Sequence, residues 1–318
     1  MMIQRHQGLI CQKFLIISTY EITGATGFVG QNLMPMLVNK CPEAEILVLC
    51  RNVDRAHALF PNLSVLFKEA EDWDSVKAFN PQIVLHLASL STSRNDTDII
   101  QPLLQSNILY GIQLLDALKE CKSLKLFVNT GSFAEYRFGT ESINDAYLYT
   151  ATKSAFRVFV DYYSQLCQFK YINVIPYTIY GGKPTVKRLM DYILESMDSK
   201  ESVDMTAGEQ ILDFTHVDDL CDFYVHVVEN AERISDIKNG ESFHIGTGRG
   251  TTIRELASMM EHVYGKKCNI HWGGRPYRDR DTMQAVAPIA KNISMLGWKA
   301  KISLKDGILK MKNQINYE

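Results

Sequence analysis

Two side chains one helical turn apart carry the most legible chemistry in this sequence: the phenol of Tyr149 and the ammonium of Lys153, in the run "YTATK". Interconverting a ketone and an alcohol needs a group that gives or takes a proton beside the reacting carbon. A phenol of ordinary pKa, about 10, is poorly matched to that task at neutral pH. A cation at i+4 shares its helical face and stabilises the phenolate, so the spacing predicts a tuned acid or base. Tyr147 is the rival register, but position 151 is alanine and gives it no such partner.

Such a pair needs a rigid frame and a bound reactant, and the run Thr19 to Gly30, "TYEITGATGFVG", offers both. Gly24, Gly27 and Gly30 stand between a candidate strand and the helical run "QNLMPMLV", where unpaired backbone N–H groups and the helix dipole favour a pyrophosphate. The glycines allow a tight turn, close approach of phosphates and close contact of helix with strand. Two residues conflict with this frame. Glu21 falls where a central strand wants continuous apolar residues, and an unpaired carboxylate there is costly. A partner or a bound proton relieves it, or "FLII" forms the deeper strand and "STYE" is an irregularity before the turn. Pro35 removes a backbone hydrogen bond inside the following helix and predicts a bend.

Beyond this turn, short apolar runs alternate with longer helical patterns, the signature of βαβ units and a parallel sheet. Candidate strands are "EILVLC" from Glu45, "QIVLHLA" from Gln82, "KLFVNT" from Lys125 and "YINVIPY" from Tyr171, with helical periodicity between them as in "IIQPLLQSNILYGIQLLDALKEC". After Gly181 the alternation loosens: a helix from about Lys187, a strand near "ILDFTHV", a helix from Asp218 with Asp218 and Asp219 as caps, "ESFHIGTG", and a helix with Thr252 and Glu255 as capping box. The fold class is therefore α/β, a Rossmann-like doubly wound parallel sheet with a smaller C-terminal α+β substrate lobe. Residues 1–180 form the dinucleotide-binding part, with 211–232 returning to it; 181–210 and 233–318 form the smaller lobe.

Composition excludes other classes. Over 318 residues the net charge is −2, which favours neither nucleic acid nor an anionic membrane as partner. The seven cysteines are scattered without a C-x-x-C pair and point to neither disulfides nor zinc, and the eight histidines show no metal spacing, so a reducing cytoplasm is expected and no metal is invoked. Lys13 interrupts the apolar start, no cleavage site follows, and the segment reads as part of the fold. No run is long enough to span a membrane.

The motif "TGATGFVG" resembles that of the extended short-chain dehydrogenase/reductases, the nucleotide-sugar epimerase, dehydratase and ketoreductase family. The resemblance extends through "LHLAS" at Leu85, "YTATK" at Tyr149, "YTIYGG" at Tyr177, "GEQILDFTHVDD" at Gly208, "FHIGTGRGTTIREL" at Phe243 and "LGWKAKISLKDGI" at Leu296. Within the family the pattern is most similar to the CDP-abequose and CDP-paratose synthases, which reduce a 4-keto sugar on a nucleotide. The resemblance implies that Lys153 also bonds the nicotinamide ribose, and that a hydroxyl at the end of "KLFVNT" holds the reacting sugar oxygen. Aligning "NTGSF" makes that hydroxyl Thr130, with Ser132 as the alternative. The next two positions, Gly131 and Ser132, then lack the Asp-Glu pair of the 4,6-dehydratases, which argues against dehydration.

The same resemblance places Gly24, Thr26, Gly27, Phe28, Val29 and Gly30 on the cofactor, together with Leu87, Ala88, Ser89, Asn107 and the segment Pro176, Tyr177, Thr178, Ile179, with Thr178 also toward substrate. At the end of the second strand Cys50 replaces the acid of NAD-preferring members and Arg51 follows. With Arg55 it favours the 2'-phosphate of NADP, NAD being the alternative. Many members place an arginine before the Asp-Phe pair for the substrate pyrophosphate; here Leu212 precedes Asp213, and Arg188 and Arg278 are the candidates to replace it. The expected partner is a CDP-, dTDP- or UDP-linked hexose, with a homodimer possible. The expected activity is reduction of a C4 ketone with Tyr149 as acid; the alternatives are a 4-epimerase with retained NAD and a dinucleotide-binding protein without catalysis.

Overall fold

The computed structural model describes residues 18–182 and 186–315. Its centre is a seven-stranded sheet containing β1 (Thr19–Thr23), β2 (Glu45–Cys50), β3 (Leu66–Glu69), β4 (Ile83–His86), β5 (Leu126–Thr130), β6 (Lys170–Pro176) and the strand Glu241–Ile245. Every pairing is parallel. The order across the sheet is Glu241–Ile245, β6, β5, β4, β1, β2, β3, so the chain builds outward from β1, returns, and builds outward from β4 in the other direction. The crevice at the carboxyl ends of β1 and β4 marks that reversal, the usual ligand position in such sheets.

Both faces of the sheet are covered, which is why its strands read as apolar runs rather than as an alternation. On one face Tyr20, Ile22 and Val48 pack with Leu33, Met34 and Leu37 of α1 (Phe28–Lys40), and with Leu220, Phe223 and Tyr224 of the helix Val217–Glu229. On the other, Leu47, Leu49, Val84 and Phe127 meet Leu114, Leu118, Phe156 and Val160. Helix α1 runs through Pro35 from Phe28 to Lys40. The smaller lobe gathers Met190, Ile193, Leu212, Phe214, Leu256, Met260 and Ile308 around the helices Leu189–Asp198, Ile253–Tyr264 and Leu304–Ile315. Thr252 and Glu255 form the expected capping box. No helix among the described residues is long and apolar enough to cross a membrane.

Two expectations are corrected. The strand Glu241–Ile245, placed by sequence in the smaller lobe, pairs with β6 at the edge of the large sheet, and Ile234, Ile237, Leu296 and Trp298 pack in the same apolar cluster. A short apolar run does not announce which sheet it will extend. Asp218 and Asp219 lie in the first turn of Val217–Glu229 rather than at its cap. The capping acceptor is His216, whose Nδ1 takes the Asp218 amide hydrogen at 3.2 Å. Asp219 accepts from the backbone N–H groups of Lys301 and Ile302, both at 3.0 Å, and so ties the C-terminal segment to this helix.

Glu21 is a further correction. "STYE" is no irregularity: Glu21 is the middle residue of β1, in register with Leu47 and Val84, while "FLII" lies outside the described residues. The side chain is completely buried, and neither carboxyl oxygen has a hydrogen-bond partner among the described residues. Burial pushes its pKa up to about 8, so the group carries a proton at neutral pH.

In the unfolded chain Glu21 ionises near its ordinary value, so between about pH 4.5 and about pH 8 the folded state alone holds this proton, and stability falls as pH rises through that window. The loss attributable to this group is on the order of 5 kcal/mol. Chemical denaturation of wild type and Glu21→Gln across that range should show a steep fall only in wild type. Glu21→Leu should match or exceed wild-type stability at pH 7, because it removes an unsatisfied polar group at similar volume. A loss of stability in Glu21→Leu would show a partner for the carboxylate.

Candidate active site

The glycine turn occupies the crevice between β1 and β4. Gly24 has φ +72°, and a Cβ there would come within 2.6 Å of the Ala88 backbone nitrogen, so only glycine lets the turn close against the end of β4. At Gly30 a Cβ would lie 2.4 Å from Ala25 Cα, which sets how tightly α1 packs on the turn. Gly27 is the N-cap of α1; no side chain caps it, and the first turn holds no acid. The open amides therefore face the crevice with their partial positive charge. The Thr23 hydroxyl lies 2.9 Å from His86 Nδ1 and accepts from the Ala88 N–H at 3.1 Å, locking the two strand ends together.

Tyr149 and Lys153 share one face of the helix Leu148–Cys167, which lies across the end of β5. Lys153 is buried, and its Nζ donates to the Thr130 carbonyl oxygen at 2.9 Å. Burial brings its pKa down to about 8, with Glu135 acting in the opposite sense. The Tyr149 phenol is pushed above its ordinary value, first by burial and then by the charge of Glu135, while the hydroxyls of Ser91 and Ser132 within hydrogen-bonding reach and the charge of Arg188 act against both. The expectation of a phenol tuned downward by its lysine is thus corrected: burial dominates the phenol, and the Lys153 ammonium donates one of its hydrogens to the end of β5.

The two hydroxyls that the alignment offered, Thr130 and Ser132, have different partners. Thr130 Oγ1 is turned away from the phenol to the Tyr224 hydroxyl at 2.7 Å, because the last residue of β5 still obeys the strand's alternation and points into the core of the sheet. Ser132 faces Tyr149 instead, at the N-cap of the short helical turn Phe133–Glu135, where its own hydroxyl accepts from the Ala134 N–H. Tyr147 is more than a rival register: its hydroxyl donates to Asp281 at 2.7 Å. Arg137 and Arg280 add bonds between the same two loops, so the segment carrying Arg278 is fastened to the one that leads into Tyr149.

Other expected cofactor residues divide by what they touch. Leu87, Ala88 and Ser89 follow β4 and line the crevice. Asn107 is buried in a π-helical turn, Gln105–Leu109, where it accepts from the Leu90 N–H at 2.7 Å and donates to Leu90 O and to Thr152 Oγ1. It therefore holds the crevice loop to the catalytic helix. The Thr26 carbonyl accepts from Gln31 at 2.8 Å, and Val29 follows Phe28 in the first turn of α1. Tyr177 points into the smaller lobe against Phe133 and His244. Pro176 ends β6, Ile179 is buried in the large core, and Thr178 Oγ1 is buried without a partner among the described residues.

Arginines sit at three places. Arg51 is exposed just beyond β2 without a partner among the described residues, and the exposed Arg55 follows on the next turn, while Cys50 turns inward to Lys68 O. The Arg188 guanidinium lies 4.0 Å over the ring of Phe28 at the start of α1, beside the glycine turn. The Arg278 side chain is 60% exposed and lies 3.8 Å from the Asp281 carboxylate. Leu212 is buried apolar core, and Asp213 is wholly committed to the N–H groups of Thr247, Gly248 and Ala287, so neither replaces the family arginine.

These residues fit a dinucleotide: a turn that a single Cβ would block, an uncapped helix N-terminus, an orphaned buried hydroxyl at Thr178, and a lysine and phenol converging on one opening. Comparison with known proteins agrees. The NAD dependent epimerase/dehydratase family matches residues 20–246. A CDP-abequose synthase from Salmonella typhimurium is 25% identical over 90% of this chain and 95% of its own length. A UDP-glucose 4-epimerase from Mycolicibacterium smegmatis is 23% identical over 91% of this chain and 96% of its own. Among solved structures, a mutant UDP-glucuronic acid 4-epimerase from Bacillus cereus in complex with UDP-4-deoxy-4-fluoro-glucuronic acid and NAD has a TM-score of 0.82 at 21% identity, covering 94% of this chain and 99% of that one. The chain belongs to the NAD dependent epimerase/dehydratase family of enzymes.

Proposed function

We propose that the protein reduces the C4 ketone of a nucleotide-linked 4-keto-6-deoxyhexose. The observation that carries this reading is Tyr149 one helical turn from the buried Lys153, whose ammonium is fastened to the Thr130 carbonyl at the end of β5. When bound there, NADPH would supply the hydride to C4. Tyr149 gives its proton to the oxygen as negative charge develops on it, Ser132 holds that oxygen, and the buried Lys153 lowers the cost of the charge left on the phenolate. In this reading Arg188 and Arg278 would meet the substrate pyrophosphate, and Arg51 a 2'-phosphate. With Ser132 as the oxygen-binding hydroxyl, the two positions that carry Asp-Glu in the 4,6-dehydratases are Phe133 and Ala134, so the case against dehydration stands on different residues. Similarity to CDP-abequose synthase over nearly the whole chain supports a reductase.

A 4-epimerase with retained NAD is the second reading, favoured by the epimerases among the relatives and solved neighbours. The six cysteines among the described residues are free, which supports a reducing cytoplasm. Leu104 and Leu109, with Val158, Tyr162 and Leu166 on the neighbouring helix, are exposed and support a homodimer through that face.

Tyr149→Phe should leave NADPH affinity intact and lower turnover at least about a hundredfold. Lys153→Ala should damage both. Ser132→Ala should cost about tenfold or more in kcat whereas Thr130→Val should not; the reverse ranking would restore Thr130 as the oxygen-binding residue. The purified protein should release little NAD on denaturation and consume NADPH faster than NADH with a CDP- or dTDP-4-keto-6-deoxyhexose, and Arg51→Ala should erase most of that preference. Stoichiometric released NAD, with UDP-hexose interconversion and no net NADPH use, would establish the epimerase. Sedimentation equilibrium should give a dimer, and Val158→Glu with Leu166→Glu a monomer.

A further inference from the structure

Glu135 lies beneath the hydroxyl that faces the phenol, at a position no sequence reading singled out. It is completely buried. Its Oε1 accepts the Ser132 amide hydrogen at 2.6 Å, and its Oε2 meets Arg157 at 2.6 Å and the Ser154 hydroxyl at 3.2 Å. The first of these bonds holds the turn on which Ser132 stands. Gly131 belongs to the same arrangement, since a Cβ there would come within 2.5 Å of Glu135 Oε1. The loop that presents Ser132 is therefore built around this carboxylate.

The charged and titratable groups facing Glu135 come from several elements. The helix Leu148–Cys167 supplies Tyr149, Lys153 and Arg157. The loop before that helix supplies Asp145, which shares the Ser154 hydroxyl at 2.9 Å. Arg157 also donates to the Tyr136 hydroxyl at 2.7 Å, and the Tyr136 ring stands edge-on to His244. On the phenol's far side Arg188 acts as the opposing cation. Among charged groups, Glu135 has the strongest influence on Tyr149, and a negative charge close to a phenol disfavours the phenolate. A protonated phenol is the form that can donate to an oxygen gaining negative charge; the reverse task requires it to ionise against Glu135.

We propose that Glu135 is a positioning residue of this site, its carboxylate holding the turn on which Ser132 stands and setting one buried negative charge on the side of the site where Tyr149 lies. This rests on the reading of Tyr149 as the acid of a reductase, and its test separates the two. Phenolate absorbance in the near ultraviolet, taken as the difference between the protein and the same protein carrying Tyr149→Phe, reports the ionisation of Tyr149 without substrate. In Glu135→Gln, which keeps an acceptor for the Ser132 amide but removes the charge, the midpoint of that difference should fall by about one pH unit. The alkaline limb of kcat for NADPH-dependent reduction should fall with it, and the Kd for NADPH should stay unchanged.

Glu135→Gln leaves Arg157 buried without its partner and so threatens folding. Glu135→Gln combined with Arg157→Met removes both charges and should still lower the midpoint. A midpoint unmoved in the folded variants overturns the proposal. A lowered midpoint in a protein that reduces no 4-keto sugar at any pH upholds the role of Glu135 while the reductase reading fails.

Discussion

Everything at the site depends on one close approach: the turn at Gly24 presses against the backbone of Leu87 and Ala88, nearer than any side chain would permit. It brings the ends of β1 and β4 together where the order of the sheet reverses, and it leaves the first turn of α1 uncapped and open. The Thr23 hydroxyl secures the same junction from β1 by bonding both His86 and Ala88. Anion binding then follows from geometry that needs no charged side chain, because the donors are backbone amides that the helix has no other use for.

Around that junction the protein handles buried charge in two ways. Glu21 has no partner among the described residues, so it avoids the cost of desolvation by staying protonated. Burial pushes the Glu135 carboxyl up as well, but Arg157 and the Ser132 amide act against it, and the Ser154 hydroxyl adds a third partner. The difference lies in location. Glu21 faces leucine and valine at the centre of a sheet, whereas Glu135 stands where β5 gives way to a turn and free amides are at hand. Lys153 belongs to the second kind, with the Thr130 carbonyl as its acceptor and Glu135 as its opposing charge.

Asn107 and Tyr147 show a second layer of organisation. Asn107 joins the loop after β4 to the catalytic helix, and its place in a π-helical turn puts an extra residue into the helix at the point where that bond is made. Tyr147, with Arg137 and Arg280, fastens the loop of the smaller lobe to the segment entering the same helix. The helix carrying Tyr149 and Lys153 is thereby held from both sides.

Local pattern sufficed for the parts of this protein that local physics controls. Four strand runs, the glycine turn, the Tyr149-Lys153 spacing and the Thr252-Glu255 box were legible because period, turn chemistry and helical spacing each act within a few residues. What required long-range contact was not. The end of β5 offered two hydroxyls, and only the direction of the strand decided that Thr130 turns to Tyr224 while Ser132 meets the phenol. The seventh strand was legible as an apolar run, yet its pairing with β6 depended on a free sheet edge 65 residues or more distant in sequence. The burial of Glu21 could be read; its lack of a partner could not. Sequence by itself determined the glycine turn and the Tyr149-Lys153 spacing, and the tertiary structure alone decided which partners the neighbouring hydroxyls and buried carboxyl groups meet, because desolvation and charge act through space among residues that the sequence keeps far apart.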